Sequence, residues 1–237
     1  MNREMSVSGL LGETFDLLSR NGPALALFVL FIGGATALGD IIGFTSADGA
    51  ILSMGTGFSI DESDTIVSGL YDIGLFVLGV IANYLLQVQF LASTGRLQHK
   101  EMLLPAYIGM SLVSLLGVIF GLVLLIVPGI ILMVRWSAAS GFLISERVGV
   151  VDSLSMSWEA TSGHSWQIFF GGVVLFLSLA VAAGGIWLLV ELLKFDYLSA
   201  VVSGVTEAIG GALSLAFGIA AFCLLHENSG AVAEVFE

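Results

Sequence analysis

Positive charge is almost missing from this chain. Seven lysines and arginines stand beside 19 acids in 237 residues, and charged residues of both signs make up only 11%. A water-soluble domain carries roughly 25% charged residues, so most of this surface is not wetted. Seven basic side chains are also too few for the phosphate-tracking patch that nucleic-acid binding needs. The single cysteine, Cys223, excludes an internal disulfide. Proline is scarce, at 3 residues against 30 glycines, a balance that points to closely packed transmembrane helices in which small residues let backbones approach. No Walker loop, HExxH or GxSxG sequence occurs, which removes the commonest nucleotide, metalloprotease and serine-hydrolase chemistries. The apolar segments hold no histidine that could act as a base inside the membrane.

What fills the chain instead is apolar: hydrophobic residues reach 57% and mean hydropathy is +1.03. Apolar runs cover 23–44, 65–91, 104–127, 130–145, 167–193 and 197–225, joined at short polar borders. Most meet the roughly 20 residues that a bilayer core requires. Two shorter segments, 6–20 and 150–162, are amphipathic. In the first, Val7, Leu10, Leu11 and Leu18 oppose Glu13, Asp16 and Arg20; in the second, Val151, Leu154 and Trp158 oppose Asp152, Ser155, Glu159 and Ser162. Both are expected to lie in the cytoplasm-side interface with the apolar residues facing inward. The fold class expected is therefore all-α: a single integral membrane domain over 1–237, a polytopic bundle of about six transmembrane helices with two interfacial amphipathic helices. Ala35-Thr36-Ala37 mimics a signal-peptide cleavage site, but Glu4, Glu13 and Asp16 precede it, so the first apolar run is expected to be a retained helix.

Orientation follows lysine and arginine rather than net charge. With the N-terminus in the cytoplasm, Arg3, Arg20, Arg96, Lys100 and Arg147 fall inside and only Lys194 falls outside. Both termini are expected in the cytoplasm.

A charge within the hydrocarbon layer is expensive, so ionisable residues inside apolar runs are the first functional candidates. Three qualify: Asp72, Arg135 and Glu207. At 1.5 Å per helical residue, Asp72 lies roughly 10 Å inside its span, Arg135 a similar depth below a turn expected at Pro128-Gly129, and Glu207 roughly 15 Å inside the last span. Asp72 shares a helical arc with Asn83 and Gln87, and Glu207 is flanked by Ser203, Gly204, Gly211, Ser214 and Gly218. The neighbours of Arg135 (Leu132, Met133, Val134 and Trp136) include no counter-ion. Asp72 is its expected partner, with Glu207 second in reach. Two readings stand for this group: a charge pair that locks the bundle, and a polar cavity for a substrate or proton.

The remaining signals are plainer. His99, His164 and His226 map to one border with Glu101, Glu146 and Glu227, but their spacing matches no local ligand motif, so no metal or other cofactor is expected. The acidic run at 61–64 reads as capping of the next helix rather than a calcium site, because it lacks EF-hand spacing. Gly117 and Gly121 read as packing within the chain rather than a dimer seam.

Pro128, Gly129, Arg135, Trp136, Glu146, Ser155, Trp158, Gly163 and Trp166 together form the densest pattern in the sequence. It resembles that of a bacterial membrane family, comprising the membrane domain attached to some glycerophosphodiester phosphodiesterases and related six-helix inner-membrane proteins. The resemblance implies a multi-pass protein of the bacterial inner membrane. In the fused enzymes the chemistry resides in a separate soluble barrel, for which these 237 residues leave no room, so that activity is not expected to carry over. The function expected is a non-enzymatic inner-membrane protein, either an accessory subunit or a membrane/lipid homeostasis factor. Its partners would be membrane lipids and possible further membrane subunits. The alternative is a small transporter or lipid-handling protein with a polar cavity around Asp72, Arg135 and Glu207.

The orientation is directly testable. Cysteines introduced at Ser6, Thr94 and Ser229 should resist a membrane-impermeant maleimide added from outside, while one at Ser53 reacts. Outside labelling at Thr94 would reverse the topology.

Overall fold

In lipid a backbone N–H or C=O finds no water and must be satisfied within its own segment, which makes helix the default for an apolar run. The computed structural model describes residues 5–44, 52–54, 58–60, 66–97, 102–193 and 196–235, and each apolar run there is helical. Helix α1 spans Val7–Arg20, and α2 (Gly22–Phe28) passes through a π turn, Val29–Gly33, into α3 (Gly34–Ile42). A short antiparallel hairpin pairs β1 (Leu52–Met54) with β2 (Phe58–Ile60). Then follow α4 (Ile66–Ser93), α5 (Leu104–Leu124), α6 (Ile126–Trp136), α7 (Ala139–Glu146), α8 (Val150–Ala160), α9 (Ser165–Leu193) and α10 (Asp196–Val235). Six segments are long and apolar enough to cross a membrane. The protein is an all-α, multi-pass membrane bundle. The hairpin is an addition within a stretch expected only to be polar. The acidic run 61–64, together with Arg3, His99, Lys100 and Lys194, lies outside the described residues.

Two boundaries differ from the sequence reading. Pro128-Gly129 does not turn the chain: the turn is the single extended residue Leu125 (φ −160°, ψ 142°), and both residues sit in the first turn of α6. Proline is tolerated there because a first-turn N–H has no helical partner to lose. Gly129 instead permits close packing, since a Cβ built on Gly121 would lie 3.0 Å from the Gly129 Cα. A Cβ on Gly117 would meet the Trp136 ring at 2.5 Å. This glycine pair therefore packs α5 against α6 within the chain, as expected. The second difference is a break after Trp136, so that the run expected as one helix is two.

The chain divides into two compact units. The first contains Met1–Asn21, Gln87–Leu175 and Leu215–Glu237. Its centre is the stretch of α10 from Ala216 to Leu225, buried on every side. Phe222 fills the notch left by Gly141 and meets Phe142 edge-on, with ring centroids 4.9 Å apart. Helix α1 buries Leu10, Thr14, Leu17 and Asn21. The Asn21 amide donates to the Ser93 hydroxyl at 2.9 Å, and Leu10 packs at Gly171. The inward face of α1 is thus met by protein at the start of α9 and the end of α4.

The second unit contains Gly22–Leu86 and Phe176–Ser214. Here the π turn ends on Gly33, which lies against Gly204 of α10: a Cβ on Gly33 would sit 2.9 Å from the Gly204 carbonyl oxygen, and one on Gly204 would collide with the Gly33 carbonyl. The Tyr71 hydroxyl donates to the Ala35 carbonyl at 2.5 Å, tying α4 to α3. The face of α10 buried alongside Gly204 continues through Ala208 and Ala212, while Ser214 is exposed. The packing face is rotated from the one expected around Glu207, because alanine packs as closely as serine without a hydroxyl to satisfy.

The glycine crossing is the tightest contact of this unit and yields a test. Gly204→Ala should cost about 1–3 kcal/mol by overpacking and lower the melting temperature in detergent. Gly184→Ala, where no atom lies within 4 Å of the new Cβ, should leave it unchanged or slightly raised. Equal effects would show that the crossing is not tight.

Candidate functional site

The break between α6 and α7 organises the most unusual local geometry. Ser137 turns its hydroxyl back to the Val134 carbonyl at 2.8 Å, the local competition with the backbone by which serine weakens a helix. The Arg135 carbonyl is then capped from α8, by the Ser157 hydroxyl at 2.7 Å and the Thr161 hydroxyl at 3.4 Å. On another side α10 approaches so closely that a Cβ on Gly218 would lie 2.7 Å from the Ser137 carbonyl oxygen. Irregular backbone at membrane depth persists only where protein covers it, and these two helices provide the cover.

The side of α8 that meets protein is a row of small hydroxyl residues. Ser153, Ser157 and Thr161 recur at i, i+4 and i+8 and are all at 0% exposure, with Leu154 beside them. Val151 and Trp158 are exposed, while the side bearing Asp152, Ser155, Glu159 and Ser162 is outward as expected. The small hydroxyl residues win the inner face because their hydroxyls are absorbed by nearby carbonyls, Ser153 to Val150 at 2.8 Å and Thr161 to Ser157 at 2.8 Å. The face they leave is smooth enough for close helix contact.

The Arg135 side chain does not seek a carboxylate. Its Nη1 donates to the Trp158 carbonyl oxygen at 3.1 Å, and the guanidinium carbon stands 5.0 Å from the Trp158 ring centroid. Among the described residues no acid pairs with it. The expected Arg135–Asp72 pair is therefore replaced by cation–π contact and by capping of the α8 C-terminus, where aligned carbonyls favour a cation. Asp72 and Glu207 belong to the second unit. Asp72 is 2% exposed on the α4 face shared with Ser68 and Gln87, so the polar stripe is inward, as expected. Asn83 lies on the same helix and is half-buried. Gln87 itself falls in the first unit and donates to the Tyr107 hydroxyl at 2.6 Å, leaving its Oε1 without a hydrogen bond.

Beside Arg135 is a cavity of about 520 Å³. One wall is a single face of α6, including Ile130, Ile131, Val134 and Arg135; the other is the first turn of α9, with Ser165 and Trp166. Gly163, in the left-handed region at φ 84°, turns the chain from α8 into that helix. Trp166 is 71% exposed and stacks on Phe170 at 5.6 Å. The result is an apolar chamber at the protein surface with one cation on its rim, a form suited to an amphiphile rather than to a polar solute.

Several residues of the 128–166 pattern thus converge: Pro128 and Gly129 open α6, Arg135 and Trp136 close it, and Trp158, Gly163 and Trp166 complete the surround. Glu146 stands apart, 3.5 Å from the exposed His226 imidazole, and Ser155 faces outward. No group of three or more His, Cys, Asp or Glu converges among the described residues. Ser157, Thr161 and Gly218 were not singled out for this role, although the i, i+4, i+8 spacing of Ser153, Ser157 and Thr161 was there to be read.

Removing both hydroxyls that cap the Arg135 carbonyl, as Ser157→Ala with Thr161→Val, should cost about 1–3 kcal/mol for an unsatisfied buried acceptor. Detergent-phase unfolding would detect this against Ser155→Ala on the outward face, which should be neutral. Compared with known proteins, the chain matches no protein-family model, no curated protein and no solved structure.

Proposed function

We propose that this is a non-enzymatic membrane protein of lipid homeostasis that holds a membrane lipid in the cavity between α6 and α9. The observation that carries the reading is the cavity itself: about 520 Å³, lined mainly by aliphatic and aromatic side chains, with Arg135 among them. Sites for small molecules typically span roughly 300–1,000 Å³ with a few placed polar groups. Acyl chains are the apolar molecules most abundant beside an exposed face of a membrane helix. Of the functions expected from sequence, lipid handling is favoured over transport of a polar substrate, because Arg135 turns to Trp158 instead of joining Asp72 and Glu207 in a polar chamber. The resemblance of the 128–166 pattern to the phosphodiesterase membrane domains supports a bacterial inner-membrane location, and the distribution of basic residues supports cytoplasmic termini.

Protein purified in mild detergent should retain a lipid that survives native mass spectrometry. Ile131→Trp, which places an indole in the chamber, should reduce the lipid-bound fraction severalfold while the protein stays folded. Equal occupancy in the two proteins would refute a lipid held in this cavity.

A further inference from the structure

We propose that the occupant of the cavity is a long-chain fatty acid, held with its carboxylate on Arg135 and its hydrocarbon chain along the apolar face of α6. The inference rests on the lipid-holding reading above and adds to it the chemical class of the lipid.

The cavity is polar at one end only. Val127, Ile130, Ile131 and Val134 follow one another at helical spacing on α6 and lead to Arg135. From Val127 to Arg135 this wall runs about 12 Å, at 1.5 Å per residue. The second polar lining residue, Ser165, is tied to the Arg135 end. Its hydroxyl donates to the Thr161 carbonyl at 3.0 Å, and the Thr161 hydroxyl reaches the Arg135 carbonyl at 3.4 Å. The remaining lining side chains, Trp166 and Phe169, are aromatic. A polar solute would turn its hydrogen-bonding groups toward side chains that cannot answer them. The ligand that matches this wall has one polar end and one long apolar part.

The polar end calls for an anion. The Trp158 ring and carbonyl that receive the guanidinium are neutral groups, so they orient the charge without cancelling it. No acid among the described residues supplies the missing charge. A guanidinium carries five N–H donors in a planar fork that matches a carboxylate with paired hydrogen bonds. The structure shows one of them in use, on the Trp158 carbonyl oxygen. Helix α9 opens on Ser165, and the positive end of that helix adds a weaker attraction.

The volume selects a single chain. Sites for small molecules bury most of their ligand's surface, and about 520 Å³ encloses one acyl chain rather than the two of a phospholipid. Beyond Arg135 and Ser165 the lining offers no polar aliphatic side chain for the glycerol or ester groups of a larger headgroup. A fatty acid has one chain, one charge and no further polar group to satisfy. All the lining residues belong to the first compact unit, so the site is complete within it.

The test uses the full-length protein, delipidated in detergent, with binding of palmitate, hexadecanol and phosphatidylglycerol read by native mass spectrometry. Palmitate should bind about tenfold more tightly than hexadecanol, its uncharged counterpart, as a charge-assisted pair implies. Arg135→Gln should bind the two equally, Arg135→Lys should keep part of the difference, and Ile131→Trp should bind neither. Arg135 also caps α8, so melting temperatures are read alongside, and the wild-type ratio carries the test even if Arg135→Gln unfolds. Equal affinity for palmitate and hexadecanol, or a palmitate preference that survives in Arg135→Gln, overturns this inference. Phosphatidylglycerol bound as tightly as palmitate overturns it too, since the site would then accept a second chain. In each of these cases a lipid is still held, and the lipid-holding reading stands. Acetate at millimolar concentration should not displace palmitate; if it does, the site is one for a small free carboxylate and the proposal fails. Absence of any bound lipid overturns both.

Discussion

A helix cannot simply stop inside a membrane. Its last carbonyls lose their partners, and a bare buried carbonyl costs about 1–3 kcal/mol. The break after Trp136 is possible because Ser157 and Thr161 bring hydroxyls to the Arg135 carbonyl and Gly218 lets α10 cover the Ser137 carbonyl. Much else in the first unit follows. Helix α8 is pinned by its inner hydroxyl face, which fixes Trp158 over Arg135. The turn through Gly163 then starts α9 next to α6 and leaves the cavity between them.

The fold was largely legible because its signals are long. A run of more than twenty apolar residues has one stable solution in lipid, and α4, α5, α9 and α10 begin within one or two residues of where hydropathy placed them. The break in the fourth run was not legible in that way. Ser137 is one of three serines in that run and carries no stronger break signal than Ser140 or Ser145, and its effect depends on donors arriving from α8. Pro128-Gly129 misled for the opposite reason: strong breakers in isolation, they are harmless in the first turn of α6, and the chain turns at Leu125, which carries no turn signal at all.

The site was legible in its members and not in its pairing. Arg135 stood out as a costly charge without a neighbouring acid, and the Trp158 and Trp166 positions belong to the same pattern. Depth counted from an assumed turn then matched Arg135 with Asp72. The structure shows instead that an arginine can be accommodated by an aromatic face and a helix C-terminus, both neutral groups. Pairing by depth presumed that only an opposite charge could satisfy it. The row of α8 that meets protein was a separate omission, because the sequence reading sorted that helix into an apolar and a polar side and did not ask which residues would pack on the bundle. Val151 and Trp158 are exposed, and small hydroxyl residues occupy the contact.

The same physics acts in both units through different residues. In water, helices associate by removing large apolar side chains from solvent; in lipid that gain is absent, and close approach of backbones must replace it. The second unit achieves the approach with Gly33 against Gly204 and a smooth alanine face beyond. The first achieves it with Gly218 at a carbonyl, Gly141 under Phe222, and the serine–threonine face of α8. Large apolar side chains are thereby released from packing duty and turned outward, which explains why so many leucines, valines and isoleucines of α5, α6 and α9 are exposed. A cavity in such a protein is therefore not a packing failure. Where α6 and α9 are held apart by the Gly163 turn, no small-residue face brings them together, and Ile130, Ile131 and Val134 are left lining a space whose chemistry is that of the surrounding acyl chains.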